Sequence, residues 1–218
     1  MSNPWTAETQ NKEWFKEADW LKRHEGFLQR AKQGPIDVLF LGDSITEGWF
    51  GEGRKAWDRD FAPLNAANFG IGGDEVQHVL WRVLNGEVAG LAPKVVVIMI
   101  GTNNLGNAGH NGPDTAKGIE LLVSTLRAKL PAAKILLFGV FPRDPKPGTK
   151  FRQEIAEINR RIAALAGGAV TYCDITKDFL QPGGEILNTT MPDYLHLTAG
   201  GYEIWAKALR RQLKTLMA

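Results

Sequence analysis

The segment IDVLFLGDS, residues 36–44, leads from a nearly unbroken apolar run into a glycine turn that ends on Ser44. Runs of Val, Ile, Leu and Phe that are apolar on both faces are typical of parallel strands covered by helices on both sides. In open α/β sheets, ligand sites form at the carboxyl ends of such strands. The segment therefore predicts a buried strand that delivers the hydroxyl of Ser44 to the edge of a sheet where chemistry takes place.

Short apolar runs alternate with amphipathic stretches along the rest of the sequence. The apolar runs predict strands at 36–41, 66–69, 95–100, 135–141 and 169–173. Apolar residues at three- and four-residue spacing predict helices at 12–31, 74–84, 119–130, 151–165 and 199–217. This alternation predicts a three-layer, flavodoxin-like α/β fold with five parallel strands in the order 2-1-3-4-5.

Length and composition narrow the class of protein. The 218 residues fit one domain, and residues 1–34 are predicted to pack on it as a helical N-terminal extension. A net charge of +2, with no basic run interleaved with aromatics, argues against a nucleic-acid partner. No apolar run reaches the roughly 18 residues of a membrane span. The single cysteine, Cys173, excludes an intramolecular disulfide and a Cys-based metal site.

The sequence leaves the compartment and the oligomeric state open. Residues 1–5 show no basic segment followed by an apolar one, so no signal peptide is predicted. A cytoplasmic protein and a secreted protein whose signal has been removed both fit this pattern. A homodimer is compatible with the sequence but is not indicated by it.

Four polar blocks stand at or beside the ends of predicted elements. They are GDSI at 42–45, NFGIGGD at 68–74, GTNN at 101–104 and DYLH at 193–196. The first three follow successive predicted strands. Because a parallel sheet gathers the carboxyl ends of its strands at one edge, these three blocks are expected to converge in space.

The blocks contain the groups that acyl transfer needs: a nucleophile, a base, an orienting acid and donors for the developing oxyanion. Ser44 can attack, His196 can take its proton, and Asp193 can hold the imidazole in the correct tautomer. The backbone N–H groups of Ser44 and Gly73 and the side-chain amide of Asn103 can donate to the oxyanion. A glycine at position 73 lets its N–H approach the substrate without a Cβ in the way.

Other classes of protein fit only parts of this pattern. The GIGG sequence at 70–73 resembles a dinucleotide-binding loop, but Glu75 occupies the third glycine position, where its charge would oppose a pyrophosphate. Seven tryptophans are compatible with a non-catalytic carbohydrate-binding module, although four of them fit helix core faces: Trp14, Trp20, Trp81 and Trp205. Thr46 stands where the G-x-S-x-G elbow of α/β-hydrolases requires glycine.

Together, the four blocks resemble the SGNH (GDSL) hydrolase family over nearly the whole chain, with Ile45 where leucine is usual. Within that family, residues 68–82 and 101–104 are similar to the catalytic subunits of platelet-activating-factor acetylhydrolase and their bacterial relatives. Asn104 stands where many members of the wider family have Asp. The resemblance implies a serine esterase that cleaves short acyl esters, often acetyl esters, through an acyl-enzyme, with no metal and no cofactor.

The alcohol part of the substrate is expected to meet two segments, 49–63 and 105–114, which are predicted to be loops. Trp49, Trp57 and His110 lie in them. Exposed aromatics beside amide side chains suit a sugar ring, which favours an acetylated carbohydrate as substrate. A lysophospholipid, a platelet-activating-factor-like ester and a promiscuous range of small esters are the alternatives. The residues predicted to touch substrate are Asp43, Trp49, Asn104 and His110.

Overall fold

A five-stranded parallel sheet forms the centre of the computed structural model, which describes residues 2–218. Its strands are β1 (Val38–Gly42), β2 (Ala66–Gly70), β3 (Val95–Met99), β4 (Lys134–Phe138) and β5 (Val170–Cys173). They pair in the order β2-β1-β3-β4-β5, and every pair is parallel. The predicted α/β class, strand number and strand order are confirmed.

Helices cover both faces of this sheet. Within residues 2–218 the α-helices are α1 (Glu17–Lys32), α2 (Ser44–Glu47), α3 (Arg54–Asp60), α4 (Val76–Leu84), α5 (Thr102–Gly106), α6 (Gly112–Lys129), α7 (Lys150–Ile162) and α8 (Ala199–Leu216). Alternate residues of β1 enter two separate cores. Leu39 and Leu41 pack with α4, α6 and α7, whereas Val38 and Phe40 pack with α3 and α8. None of the described helices is both long and apolar enough to cross a membrane.

The segment 49–63, which was predicted to be a loop, is instead mostly helical, and both of its tryptophans are buried. It consists of α3 between two short 3-10 helices, Gly48–Phe50 and Ala62–Leu64. Trp49 is 0% exposed and Trp57 only 4% exposed. Trp49 packs on Trp205 with ring centroids 4.9 Å apart, and Trp57 packs on Phe40 at 5.1 Å. The expectation that Trp49 and Trp57 are exposed was wrong, because these rings complete the core between α3, α8 and the sheet.

The N-terminal end also differs from its prediction. Residues 2–16, which we call the N-terminal arm, contain no described helix, since α1 begins at Glu17 rather than near residue 12. Trp20 and Trp205 are buried as predicted, but Trp14 is 65% exposed. Its predicted place on a helix core face was wrong, because the arm leaves the helical path and lies over the loop that follows β2.

Candidate functional site

The sheet brings Ser44, His196 and Asp193 into one hydrogen-bonded chain. Ser44 is the first residue of α2, immediately beyond β1. Its Oγ lies 2.9 Å from Nε2 of His196, and Nδ1 of the same ring lies 2.6 Å from Oδ2 of Asp193. A hydroxyl, an imidazole and a carboxylate in this order form the constellation that activates a serine for nucleophilic attack.

The backbone around Asp193 fixes the orientation of the imidazole. Oδ1 of Asp193 accepts the N–H groups of Leu195, at 3.1 Å, and of His196, at 2.7 Å. Its Oδ2 is left to accept from Nδ1 of the ring, which assigns Nε2 as the acceptor for the Ser44 hydroxyl. Desolvation acts to raise the pKa of Asp193, but the hydrogen bonds from His196 outweigh it, so the net pKa is lowered. The carboxylate therefore stays ionised opposite the ring.

This chain of side chains is open to solvent. The side chain of His196 is 46% exposed and that of Asp193 is 53% exposed. Ser44 is half-buried between them and the sheet edge.

The β2–α4 loop, residues 71–75, lies directly beside Ser44. A Cβ added to Gly72 would stand 3.8 Å from Cβ of Ser44, so a side chain at position 72 would contact the serine. Gly73 follows with φ at +78°, a conformation that favours glycine. A Cβ on Gly73 would collide with the ring of Trp14. Glycine is thus required at position 73 by both its backbone and its surroundings.

Asn103 joins this loop from the neighbouring strand end. It is the second residue of α5, just beyond β3, and is 8% exposed. Its Nδ2 donates to the backbone carbonyl of Asp74 over 2.9 Å. An amide nitrogen carries two protons, so one N–H remains available to a substrate oxygen.

A fully buried ionic cluster holds Asp74 from the opposite side. Arg82, Asp74 and Glu87 are all 0% exposed. Arg82 Nη2 lies 2.8 Å from Oδ2 of Asp74, and Arg82 Nη1 lies 2.5 Å from Oε1 of Glu87. Trp20 Nε1 donates to Asp74 Oδ1 over 2.7 Å. This cluster was not predicted from the sequence, although an arginine among the apolar residues of α4 was the signal for it, because a buried charge requires a partner.

The N-terminal arm supplies a second set of contacts to the β2–α4 loop. Gln10 Nε2 donates to the carbonyl of Gly72 over 3.2 Å and to Oδ1 of Asp74 over 3.1 Å. Lys12 Nζ donates to the carbonyl of Gly73 over 2.7 Å. These contacts join residues about 60 positions apart, and no motif in the sequence marked them.

Three of the residues predicted to touch substrate are fully buried: Asp43, Trp49 and Asn104 are each 0% exposed. Asp43 Oδ1 caps α2 by accepting the N–H of Ile45 over 3.0 Å, and burial raises the pKa of its carboxyl group to about 7. Asn104 accepts the N–H of Val76 over 3.0 Å. Their burial contradicts the predicted role, since both side chains organise backbone and Trp49 fills the core.

His110 is the fourth residue that was predicted to touch substrate. It is half-buried, and its ring contacts Asn104 Nδ2 at 3.3 Å and the carbonyl of Ser2 at 2.8 Å. Contact between His110 and substrate stays a prediction. Two further histidines, His24 and His78, are buried, at 5% and 4% exposure.

Both the sequence and the fold are similar to those of known proteins. Residues 40–204 match the model of the GDSL-like lipase/acylhydrolase family. The alpha2 subunit of platelet-activating factor acetylhydrolase IB from Rattus norvegicus is 38% identical over 200 residues, covering 91% of this chain and 85% of the relative. The human alpha1 subunit is 36% identical over 201 residues, covering 91% and 84%.

Solved structures show the same fold at lower identity. A GDSL-like lipase from Bacteroides thetaiotaomicron superimposes with a TM-score of 0.74 and 22% identity, covering 88% of this chain and 97% of the other. An acetylxylan esterase from Geobacillus stearothermophilus gives 0.63 and 20%, covering 84% and 96%. With the family match over most of its length, the chain is a carboxylic ester hydrolase that belongs to the GDSL-like lipase/acylhydrolase family.

Proposed function

We propose that this esterase removes short acyl groups, above all acetyl, through an acyl-enzyme on Ser44. The observation that carries the proposal is the hydrogen-bonded chain from Ser44 Oγ through His196 to Asp193, with spacings of 2.9 and 2.6 Å. As Oγ attacks the ester carbonyl, Nε2 of His196 takes its proton, and the ionised Asp193 stabilises the imidazolium. The imidazolium then protonates the departing alcohol. A water molecule, activated by the same ring, hydrolyses the acyl-enzyme and restores the serine.

The negative charge that develops on the carbonyl oxygen is assigned to three donors. They are the backbone N–H groups of Ser44 and Gly73 and the second amide proton of Asn103. The position of Gly72 beside Ser44 and the hydrogen bond between Asn103 and Asp74 support this assignment, because all three residues follow neighbouring strands at the carboxyl edge of the sheet. Donors that are already fixed need no reorganisation during the reaction, which is why they favour the transition state.

An acetylated carbohydrate is the substrate class we favour. The exposed His196 and Asp193 leave the leaving-group side of the site open to a bulky alcohol. An acetylxylan esterase shares the fold. A non-catalytic carbohydrate-binding module is set aside, since the chain belongs to a family of acylhydrolases.

A short-chain phospholipid is the second candidate. The 38% identity to a platelet-activating factor acetylhydrolase subunit specifically favours an acetyl ester on a lipid alcohol. A promiscuous range of small esters is the third outcome. All three share the proposed acyl-enzyme chemistry and differ only in the alcohol.

The test is acetate release from four substrates: acetylated xylooligosaccharides, acetylated monosaccharides, a 2-acetyl phospholipid and ethyl acetate. Ser44→Ala serves as the control and should lose several orders of magnitude in kcat on every active substrate while keeping its circular dichroism spectrum. Preferential turnover of the carbohydrates supports the favoured class. Good ethyl acetate hydrolysis with no release from any carbohydrate would remove that class, and near wild-type turnover by Ser44→Ala would refute the nucleophile.

A further inference from the structure

We propose that Trp14 is a specificity-determining residue whose exposed indole forms a platform for the sugar ring of the substrate. The inference deepens the proposed function and rests on it. It assigns to the N-terminal arm a part in the site that neither the four sequence blocks nor the predicted substrate residues included. Trp49 and Trp57, the aromatics first expected to meet the alcohol, are in the core.

Trp14 lies against the β2–α4 loop. Its six-membered ring borders Gly73 so closely that a Cβ on this glycine would collide with it. Gly72, the preceding residue, borders the side chain of Ser44. The indole and the proposed nucleophile thus border two consecutive residues of the β2–α4 loop, and we infer that the ring stands beside the bound ester alcohol.

The indole of Trp14 is packed between neighbouring side chains, although it is exposed to solvent. Lys12 Nζ is anchored by the carbonyl of Gly73 at 2.7 Å and by Glu75 at 2.8 Å, and it lies 5.8 Å from the Trp14 ring centroid. Phe15 stacks on Trp14 with centroids 6.0 Å apart and an angle of 16° between the planes. An aromatic side chain that is fixed before binding loses little conformational entropy when a ligand packs on it.

The exposure of the Trp14 side chain also points to a binding surface. Trp14 is 65% exposed, the highest value among the large hydrophobic side chains of residues 2–218. Leaving an indole in water forgoes the free energy that its burial would provide. A ring that is exposed on one side and packed against the β2–α4 loop on the other has the properties of a binding surface.

A partly exposed ion pair at Gly72, next to Gly73 on which the indole packs, favours a sugar over a purely apolar alcohol. Glu47 Oε2 accepts the N–H of Gly72 over 2.7 Å, and its other oxygen pairs with Arg23 at 2.6 Å. The side chains of this pair remain 34% and 42% exposed. A pyranose presents C–H groups on one face and hydroxyls at its rim, so it can stack on an indole while its hydroxyls meet a carboxylate and a guanidinium.

The experiment compares an acetylated xylobiose with ethyl acetate, which has no ring to stack, in four proteins. These are the wild type, Trp14→Ala, Trp14→Phe and the matched control Trp5→Ala. Trp5 also belongs to the N-terminal arm, but its ring packs on Lys117 of α6, with Nζ 3.7 Å from the centroid. Melting temperatures by circular dichroism verify that each variant is folded.

For Trp14→Ala we expect KM for the acetylated xylobiose to rise about tenfold, the loss of one stacking contact, with kcat little changed. Its kcat/KM for ethyl acetate should stay within about twofold of wild type, Trp14→Phe should recover much of the affinity, and Trp5→Ala should match wild type. An equal loss on both substrates would overturn the platform, since that is what mere support of Gly73 produces.

Two further outcomes distinguish failure of the platform from failure of the proposed substrate class. Unchanged KM in Trp14→Ala, while wild type still releases acetate from the sugar, overturns the platform and leaves the proposed substrate class standing. No release from any carbohydrate by the wild type, with ethyl acetate hydrolysed, removes the substrate class and the sugar platform together. The two failures are therefore distinguishable.

Discussion

Asn103 donates its side-chain amide to the backbone carbonyl of Asp74 over 2.9 Å, and so links the strand end of β3 to the loop that follows β2. Asp74 in turn is held by Arg82 at 2.8 Å and by Trp20 at 2.7 Å. The proposed oxyanion donor is thus anchored, through one carbonyl, to a cluster with no exposure to solvent. Rigid support of this kind is what a donor needs if it is to favour the transition state.

Asn103→Ala should lower kcat by about 10²–10³ and change KM little, because the lost donor acts mainly on the developing oxyanion. Steady-state kinetics with ethyl acetate measures both constants. Asn104, the next residue, serves as the control because its side chain has a structural role. Asn104 bonds Val76 N–H at 3.0 Å and Gln77 at 2.9 Å, both within the protein. Asn104→Ala should therefore lower the melting temperature more than Asn103→Ala does, and the reverse order would contradict both assignments.

Arg82→Met should destabilise the fold by about 3–5 kcal/mol, because it leaves the carboxylates of Asp74 and Glu87 buried without their cation. Urea unfolding followed by circular dichroism gives the free energy of unfolding. The control is the triple variant Arg82→Met, Asp74→Asn, Glu87→Gln, which removes both charges and should recover part of the loss. A triple variant less stable than Arg82→Met alone would show that the uncompensated charges are not the cause.

Gly73→Ala should lose both stability and activity, because of backbone strain and because of close packing. Gly90→Ala is the control that introduces the backbone strain alone. Gly73 has φ at +78° and Gly90 has φ at +74°, so alanine is strained by the backbone to a similar degree at each. Nothing lies within 4 Å of an added Cβ at Gly90, whereas at Gly73 it meets Trp14 and Gln10. Gly90→Ala should cost roughly 1 kcal/mol with full activity. If Gly73→Ala is as stable in urea unfolding as Gly90→Ala and turns over substrate as fast, then close packing at Gly73 does not contribute.

The parallel sheet could be predicted from the sequence because its signal is local. Strand β1 is apolar on both faces, and its alternate residues do enter two cores. The convergence of Ser44, Gly73 and Asn103 then follows from topology, since all three stand beyond parallel strand ends. The pairing of His196 with Ser44 across 152 positions of sequence was expected from their chemistry and order rather than from any spacing.

The tryptophans were assigned less well, because exposure depends on tertiary packing and not on local pattern. Trp49 lies in a polar-looking segment yet packs on Trp205, while Trp14 lies in a helix-like pattern yet is 65% exposed. The path of the N-terminal arm is set by contacts of Gln10 and Lys12 with the β2–α4 loop, about 60 residues later. Hydrophobic periodicity contains no information about such distant polar contacts.

The last prediction concerns Asp43, whose carboxyl group is fully buried at the start of α2. Desolvation raises its pKa to about 7, compared with about 3.9 in an unfolded chain. For an acid with a raised pKa, the stabilising contribution is complete below the unfolded pKa and is lost as the pH rises through the folded one. Asp43→Asn keeps an oxygen acceptor for the N–H of Ile45 but cannot ionise. Its stability relative to wild type should therefore increase by about 3 kcal/mol between pH 5 and pH 8, as measured by urea unfolding. Taking the difference between the two proteins cancels the titration of groups they share. A difference that does not vary with pH would mean that Asp43 is ionised throughout this range in the folded protein, as it is in the unfolded chain, and would contradict the raised pKa.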